Sequence, residues 1–443
     1  MTSEQPIIII GAGMAGLACA TWLHRAGRPV LVLEAADGVG GRVRTDVTPD
    51  GFRLDRGFQI LLTNYPEARR MFDYGALKLK SFRSGALIQL PDGQETTLEN
   101  PLHAPLMAFA ALASPIGTVK DKLLIGKLVA QLAGRPPEQL LAQPSVTTLE
   151  YLRHYGWSEQ IIDCFFRPFF GGVYLDRELS TASNFFEFVF QQFMQGSAAV
   201  PSLGIQQLPE QLVSRLPADA IRLNAPVAAV AENGRLVHLA SGEALTAAAV
   251  VLATDGPAAT HLLSAGLPAL PTLAARPTTC TYFATVGPAP SHGRNILHLN
   301  TLPGALAHNV SFPAESGAAV APAGQGLVSV STHGEHGLTE EELTARLRTE
   351  LVAWFGPMAH MWRHLRTYRI EQALPVYGPG QPVQQELRLS DTLFRCGDWV
   401  SYPSLNAALG TGRQVAEMLL ATPAPLTLAA GARVFRPGRP RIA

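Results

Sequence analysis

Residues 7–16 read IIIIGAGMAG, and they are followed by a helical pattern and by a second apolar run, VLVL, at residues 30–33. Four consecutive isoleucines favour a short strand that is buried on both faces. The small residues after the glycines are typical of a helix that packs tightly, and Gly27 marks its end. The order strand, glycine turn, helix and strand predicts a βαβ unit at the front of an α/β fold.

The glycines of this turn fit the contacts that a dinucleotide requires. Gly11 permits the tight turn, Gly13 allows the backbone to approach a pyrophosphate, and Gly16 allows the helix to pack close to the strand. The helix N-terminus then offers free N–H groups and its dipole to the phosphates. Glu34 follows the second apolar run, where a carboxylate can accept from both ribose hydroxyls and disfavours a 2′-phosphate. We therefore expect a dinucleotide other than NADP; a purely structural glycine turn is the alternative.

The residues after the second run indicate which dinucleotide is bound. Residues 40–45 read GGRVRT, so two glycines precede two arginines. The glycines permit close backbone approach, and Arg42 and Arg44 supply fixed positive charge beside phosphates. Arginines in a solvated loop are the alternative. Residues 11–45 together resemble the FAD-binding signature of the superfamily of flavin amine oxidases, phytoene desaturases and protoporphyrinogen oxidases.

The resemblance continues in two later parts of the chain. Residues 249–254 resemble the family's second FAD segment, which implies that the backbone at Val227 pairs with adenine and that residues 253–254 lie near the pyrophosphate. Residues 393–413 resemble the third segment, which implies that Asp398 contacts the ribityl or pyrophosphate linkage and that a helix start points at the flavin. The residues that the resemblance places at the cofactor are Gly11, Gly13, Ala15, Gly16, Glu34, Ala35, Gly40, Gly41, Arg42, Val227, Ala253, Thr254, Gly397, Asp398, Asn406, Ala407 and Ala408.

The resemblance also implies the fold and its division into domains. It predicts an α/β protein with a Rossmann-like FAD-binding domain of the glutathione-reductase type and a substrate domain built from a mixed sheet and helices. A chain of 443 residues is too long for one compact core, which agrees with two domains. The predicted segments are 1–75, 202–265 and 385–421 for FAD binding, 76–201 for the helical part and 266–384 for the sheet part of the substrate domain, and 422–443 for a tail.

The composition argues against several classes of protein. Lysine plus arginine and aspartate plus glutamate number 35 each, so nothing indicates a basic face for nucleic acid. The four cysteines form no CxxC pair, which argues against disulfides and a zinc site and favours a reducing compartment. The first residues, MTSE, lack a basic n-region. We therefore expect no signal peptide and a cytoplasmic protein.

Apolar residues are abundant, at 47% of the chain against 16% charged residues. Either the core is large or part of the surface meets something apolar. Residues 106–113 are apolar but too few to span a bilayer. Residues 119–133 predict an amphipathic helix with three lysines on its polar side. This region predicts either a helical cap over the substrate cavity or a peripheral membrane patch.

Phenylalanines are concentrated between residues 165 and 193. Four lie between Phe165 and Phe170, and five more between Phe185 and Phe193 follow a period near 3.6 residues. This spacing predicts helices with an apolar face, and that face lies either in the core or along a cavity. The segment around Phe165 resembles the phytoene desaturase and protoporphyrinogen oxidase side of the superfamily.

Two further features concern side chains away from the glycine turn. Asp55 lies in a segment that resembles the family's Gly-Phe-x-x-Asp-x-Gly pattern, and we expect it to pair with Arg42 or Arg44; a plain turn residue is the alternative. The histidines at 333, 336, 360 and 364 lack a zinc-binding pattern and an evident third ligand, so we expect surface histidines and no metal.

The resemblance leaves the substrate open. Amine oxidases of the superfamily usually carry an aromatic residue shortly before the last FAD helix and a lysine near the flavin. Here Ser404 and residues 276–278 correspond to those positions, and Tyr402 is a partial replacement for the ring. We therefore expect hydride removal from a carbon of an apolar small molecule (isoprenoid, carotenoid-like or porphyrinogen-like) by a desaturase or dehydrogenase. An amine oxidase is the alternative, and a non-catalytic flavoprotein is a remote one.

The protein is expected to leave the redox chemistry to its cofactor. The sequence contains no recognisable triad or paired-acid site, so no catalytic side chain is assigned and the electron acceptor stays open. Covalent flavin attachment in this family uses a cysteine close to the ring, whereas Cys396 precedes the Gly-Asp pair nearer the phosphates. We therefore expect non-covalent FAD.

Overall fold

The computed structural model describes residues 5–90, 92–99, 114–263, 270, 274–290, 295–302 and 304–421. The apolar stretch 106–113 and the predicted tail lie outside the described residues. The strands β1 to β20 are, in order, Ile7–Ile10, Val30–Leu33, Thr45–Val47, Arg53–Asp55, Leu61–Leu62, Lys80–Ser81, Gly85–Gln89, Glu95–Glu99, Ala198–Val200, Ile221–Arg222, Val227–Ala231, Leu236–Leu239, Ala244–Thr246, Ala249–Leu252, Ala275–Ala284, Leu297–Asn300, Asn309–Ser311, Leu327–His333, Arg363–Pro375 and Leu393–Arg395. The helices α1 to α13 are Met14–Arg25, Pro66–Met71, Tyr74–Leu77, Val119–Leu132, Pro137–Leu141, Thr148–Tyr155, Glu159–Ile161, Arg167–Tyr174, Ser183–Gln195, Gln207–Val213, Gly256–Leu262, Glu340–Phe355 and Leu405–Ala421.

A five-stranded parallel sheet contains the front of the chain. Its strand order is β10-β2-β1-β14-β20, with Ile7 of β1 opposite Val30 of β2 on one side and Ala249 of β14 on the other. All four isoleucines of β1 are buried, as the apolar run predicts for a central parallel strand. Each of the three predicted FAD-binding segments contributes at least one strand to this sheet. The α/β class and the Rossmann-like sheet are therefore confirmed.

Two long helices pack against each other beside this sheet with close approach of their backbones. Helix α1 follows β1, and the last helix, α13, packs along it. A Cβ at Gly412 of α13 would lie 2.2 Å from the carbonyl oxygen of Ala15, so only glycine allows this approach. The C-terminal helix thereby closes over the same unit that the N-terminal glycines begin.

A second, seven-stranded sheet has the order β19-β15-β18-β17-β16-β7-β8. Its pairs are antiparallel except for β16 with β7. Strands β7 and β8 come from the predicted segment 76–201, and the other five come from segment 266–384. Helix α12 packs on it through an apolar cluster that includes Phe283, Leu347 and Trp354.

Helices α4 to α9 form the helical part of the chain, between β8 and β9, and are rich in aromatic residues. The amphipathic helix predicted at 119–133 is α4, and Thr118 and Asp121 form a reciprocal capping box at its start. A π-helical turn, Ile162–Phe166, leads into α8, and almost every residue of α9 is buried. Among the described helices, none has the length and apolarity needed to cross a membrane.

Candidate active site

One large cavity, of about 1410 Å³, is lined by residues of both sheets and of the aromatic helices. We call it the central cavity. It brings together residues that lie nearly 400 positions apart in the chain, from Gly11 at the first turn to Ala408 of the last helix. The predicted cofactor residues that line it are Gly11, Gly13, Ala15, Glu34, Ala35, Gly40, Gly41, Arg42, Val227, Ala253, Thr254, Gly397, Asp398 and Ala408.

Three predicted cofactor residues do not line the central cavity. A Cβ at Gly16 would lie 2.1 Å from the carbonyl oxygen of Gly11, so Gly16 serves the close approach of helix and turn. Asn406 accepts from the backbone N–H of Glu67 at 2.9 Å and donates to the hydroxyl of Tyr402 at 2.8 Å. Ala407 is buried beside it. Asn406 and Ala407 thus hold the start of α13 in place from behind the cavity.

The start of α1 offers hydrogen-bond donors to the cavity. Gly13 is the N-cap residue, with φ −72° and ψ 178°, and no side chain caps the helix there. An uncapped helix start leaves N–H groups that need an acceptor. A Cβ at Gly13 would meet no protein atom within 4 Å, so the space beside this turn is open. Open space beside free N–H groups fits a pyrophosphate.

The carboxylate of Glu34 is held rigidly at the end of β2. One oxygen accepts from the backbone N–H of Ala12 at 2.7 Å, and the other accepts from that of Ala36 at 2.9 Å. Each carboxylate oxygen has a second lone pair, so these bonds leave acceptor capacity for hydroxyl groups. The geometry therefore fits a ribose at the edge of the cavity.

An ion pair joins the first and the last predicted FAD segments across the cavity. Arg42 donates to Asp398 at 2.6 Å and to the carbonyl oxygen of Ala373 at 2.9 Å. The charge of Asp398 raises the pKa of Arg42 above its usual value. Arg42 therefore stays a fixed cation at the cavity wall, which suits a neighbouring phosphate.

The expected pairing of Asp55 with Arg42 or Arg44 is wrong. Arg44 pairs with Asp37 at 2.8 Å, and Arg42 pairs with Asp398. One oxygen of Asp55 instead accepts from the Thr45 hydroxyl at 2.6 Å and from the backbone N–H of Ile205 at 3.0 Å. Asp55 therefore fastens the β3–β4 hairpin to the loop before α10.

The start of α13 also lies at the central cavity. Pro403, Ser404, Leu405 and Ala408 line it. The Ser404 side chain accepts from the backbone N–H of Ala407 at 3.0 Å, so this position acts as a helix cap. A serine in this role presents no ring to a substrate.

Six phenylalanines form what we call the aromatic end of the cavity. Phe169 and Phe193 meet edge to face there, with ring centroids 5.0 Å apart. Phe166, Phe186 and Phe188 lie in the core behind them. The phenylalanines therefore occupy both of the locations that their spacing left open, the core and the cavity lining. The six residues of the aromatic end are Phe165, Phe169, Phe170, Phe185, Phe190 and Phe193.

Tyr402 is not among the described residues that line the cavity. Its ring packs against Phe185 and Phe188, with centroids 5.6 and 5.3 Å away. Its hydroxyl accepts the bond from Asn406. Tyr402 is therefore a core residue and does not replace the missing aromatic residue at position 404.

The wall formed by the second sheet is polar. Thr278 of β15, Asn309 of β17, and Ser331 and His333 of β18 line the cavity, and we call these four residues the polar wall. The cross-strand register places Thr278 opposite His333 and Asn309 opposite Ser331. Three strands that are remote from one another in sequence therefore bring polar side chains to one part of the cavity wall.

The expectation that the four histidines lie on the surface is wrong for His333. Its ring stacks on that of His308, with centroids 3.8 Å apart. Burial lowers the pKa of His333 to about 3, so the ring is neutral at neutral pH. The described residues contain no group of three or more histidine, cysteine, aspartate or glutamate side chains that could hold a metal ion.

Comparison with known proteins identifies the family of the chain. A family model described as flavin-containing amine oxidoreductase matches residues 14–420. The chain belongs to this family. The flavin in the description of this family agrees with the glycine turn, and the expected FAD cofactor is confirmed.

The names of the relatives of this oxidoreductase indicate different substrates. Putrescine oxidase of Kocuria rosea is 28% identical over 243 residues, which cover 51% of the chain and 48% of the relative. The 15-cis-phytoene desaturase of Glycine max is 29% identical over 167 residues, covering 35% of the chain and 29% of the relative. The chain thus spans about half the length, or less, of these curated relatives. A solved structure from Exiguobacterium, named as a candidate protoporphyrinogen oxidase, is 19% identical with a TM-score of 0.70, covering 95% of this chain and 99% of that one. That likeness shows the fold.

Sequence reasoning missed most of the oxidoreductase's polar wall. Residues 309–311 read NVS and residues 327–333 read LVSVSTH, so polar residues alternate with apolar ones. This alternation is the available signal for a strand with one polar face. It does not reveal that the face lines a cavity, because that depends on where the aromatic helices pack.

Replacing Asp55 by asparagine is expected to flatten the pH dependence of stability. Burial raises the pKa of Asp55 from 3.8 to about 6. The folded state favours the protonated form of Asp55. The contribution of this side chain to the stability of the fold is therefore complete below about pH 4 and is lost as the pH rises through about 6. Asparagine keeps the oxygen that accepts both hydrogen bonds and carries no charge. The variant should therefore be more stable than the native protein at pH 8, by on the order of 1–2 kcal/mol.

The measurement is the urea midpoint of the FAD-loaded oxidoreductase from pH 4 to pH 8. Asp219, which is exposed, provides the control change Asp219→Asn. An Asp55→Asn variant that tracks the native curve across this range would contradict the assigned protonation.

Proposed function

We propose that the oxidoreductase is a desaturase or dehydrogenase that removes hydride from a carbon of an apolar small molecule. The observation that supports this is the continuity of the central cavity, in which the predicted cofactor residues and the aromatic end line one space. An apolar ligand in that space gains from removal of its surface from water and from contact with aromatic rings. The chain's own task is to orient this ligand and to exclude water from it.

FAD, bound non-covalently, supplies the hydride acceptor. On this proposal the turn at Gly11 and Gly13 and the start of α1 hold the pyrophosphate, and Glu34 holds the ribose. Arg42, fixed by Asp398, offsets phosphate charge. The start of α13 directs N–H groups at the flavin. Cys396 is buried and does not line the cavity, which agrees with non-covalent binding.

Amine oxidation is the second candidate, since a putrescine oxidase is among the relatives. The positions at which amine oxidases of the superfamily hold their substrate offer little to an ammonium group here. Ser404 is a helix cap, Tyr402 is in the core, and Glu99 is already paired with Arg83 at 2.8 Å. Lys122 of α4 lines the cavity and donates to the carbonyl oxygen of Ser114 at 2.7 Å. The apolar substrate is therefore favoured.

We also propose that the apolar substrate enters from a membrane surface beside α4. Lys122, Ile125 and Gly126 of this helix line the cavity. Val119 and Leu123 on the same helix are exposed, at 63% and 67%. Exposed apolar residues next to a cavity suit peripheral contact with lipid, in a protein otherwise expected in the cytoplasm.

Anaerobic bleaching of the bound flavin tests the substrate class. We expect bleaching by an isoprenoid or a tetrapyrrole presented in liposomes, and little or none by putrescine or benzylamine. Phe169→Leu, at the aromatic end, should slow the reaction with the apolar substrate, whereas Phe355→Leu, at a residue that does not line the cavity, should not. Rapid bleaching by an amine alone would favour the amine oxidase. Absence of bleaching by either class would favour a non-catalytic flavoprotein.

A further inference from the structure

A second, small cavity lies beside the central cavity. Its volume is about 20 Å³, which is room for one water molecule. Phe58, Gln59 and Phe82 line both cavities, and we call these three residues the partition. The remaining residues that line the small cavity are Asp55, Val200, Gly204, Tyr282, Pro313 and Val320. A molecule in the small cavity would therefore be separated from the central cavity by a single layer of side chains.

The small cavity is lined by one oxygen-rich group that has unused acceptor capacity, the carboxylate of Asp55. Asp55 retains accessible surface although it lies within the fold. The Thr45 hydroxyl and the backbone N–H of Ile205 both donate to the same carboxylate oxygen, Oδ1. Neither of these hydrogen bonds involves the other oxygen, Oδ2. Oδ2 can therefore accept from a molecule in the small cavity.

Two further polar side chains line this space. Gln59 is fixed through its amide nitrogen, which donates to the carbonyl oxygens of Arg42 at 2.7 Å and of Arg56 at 3.1 Å. Its side-chain oxygen is an acceptor that these two bonds do not use. Tyr282 provides a hydroxyl, which both donates and accepts. Together with Asp55 these groups supply the two to four polar partners that a buried water requires.

The surroundings give Asp55 no opposite charge. Cys280 and Tyr282 of β15 interact with it, and burial raises the pKa of both, so both are neutral at neutral pH. The charged side chains around the β3–β4 hairpin interact with residues other than Asp55, namely Arg44 with Asp37, Arg53 with Glu210 and Arg56 with Asp46. An ionised Asp55 therefore depends on hydrogen bonds, and not on an ion pair, for its stabilisation.

We propose that the small cavity holds one ordered water molecule, which donates to Oδ2 of Asp55 and to the side-chain oxygen of Gln59 and accepts from the hydroxyl of Tyr282. This water replaces part of the hydration that the carboxylate loses on folding, and it keeps Asp55 able to ionise inside the protein. It also links the β3–β4 hairpin to the residue that holds the backbone of Arg42, a predicted FAD ligand. The water site is formed by the chain alone and does not depend on the substrate proposed above.

The test measures the pKa of Asp55 in the FAD-loaded protein by infrared spectroscopy. The carbonyl band of the protonated side chain grows as the pH falls, and its absence from the Asp55→Asn variant identifies it. Val320→Leu adds one methylene group to the lining and displaces the water. Because the carboxylate then loses a donor to its charged form, we expect the pKa to rise by about 1, a tenfold change in proton affinity.

Two further variants separate loss of the water from a general disturbance of the fold. Val237→Leu adds the same group at a buried valine of β12 that does not line the small cavity, and should leave the pKa unchanged. Gln59→Ala shortens a side chain of the partition and admits water from the central cavity. The pKa of Asp55 should then fall, in the direction opposite to that of Val320→Leu.

A pKa of Asp55 that is the same in Val320→Leu as in the native protein would overturn the inference, as would a rise in Val237→Leu equal to that in Val320→Leu. If neither Val320→Leu nor Gln59→Ala folds, a crystal structure of the native FAD-loaded protein decides the matter. Solvent density within hydrogen-bond distance of Oδ2 of Asp55 is expected, and a small cavity without density would overturn the inference. None of these measurements uses a substrate, so their failure leaves the proposed function untouched.

Discussion

Replacement of Gly13 by valine is expected to abolish retention of FAD while the apoprotein stays folded. The backbone of Gly13 has φ −72° and ψ 178°, which any residue adopts, and a Cβ there meets no protein atom within 4 Å. The added Cβ therefore clashes with no protein atom. It would occupy the space beside the free N–H groups of α1, where the pyrophosphate is proposed to bind. Loss of one or two hydrogen bonds to a charged phosphate corresponds to about 3 kcal/mol, or roughly 100-fold in affinity.

The measurement is the dissociation constant of FAD for refilled apoprotein, followed by flavin fluorescence. Gly13→Ala should give an intermediate loss, because its methyl group fills less of the same space. The urea midpoint of the apoprotein should stay within the range of the native protein. Native-like FAD affinity in the valine variant would mean that the pyrophosphate lies elsewhere.

Replacement of Gly16 by alanine should have the opposite profile and destabilise the fold itself. The added Cβ would lie 2.1 Å from the carbonyl oxygen of Gly11 and 3.1 Å from the Cβ of Ala253. The first contact is with backbone, which cannot move without separating α1 from the central strands β1 and β14. Overpacking of this kind costs about 3 kcal/mol.

The urea midpoint of the apoprotein measures this effect, with no cofactor present to mask it. Gly378→Ala is the matched control, because a Cβ at Gly378 meets nothing within 4 Å and its φ is not in the left-handed region. An apoprotein of Gly16→Ala as stable as that of Gly378→Ala would refute the packing role of Gly16. The two glycines, three residues apart, thus separate cofactor binding from folding.

Local patterns were sufficient for the cofactor domain. A buried parallel strand, a glycine turn and a helix are determined by residues close together in the chain, and their spacing is what a pyrophosphate recognises. The same reasoning predicts Glu34 as a ribose ligand, because the end of a strand beside the turn is at a fixed distance from it. Thr118 likewise begins a helix as a capping residue, directly before residue 119, where the sequence predicts a helix to start.

Predictions that depended on a partner remote in sequence were less secure. Asp55 was expected beside an arginine, and it instead accepts hydrogen bonds from Thr45 and Ile205. His333 was expected at the surface and lies stacked on His308. In both cases the residue type indicates a need for partners, and the packing of distant segments decides which partners it has.

The sequence by itself therefore determined the α/β class, the dinucleotide turn and the likeness to flavin oxidoreductases, because these follow from short-range spacing. Only the tertiary structure decided which of the nine phenylalanines between residues 165 and 193 face the cavity. The packing of the helices determines which of them line the cavity and which lie in the core. It also decided that Thr278, Asn309, Ser331 and His333 share one wall. That juxtaposition depends on the register of three strands that are separated by many residues, and no local pattern specifies such a register.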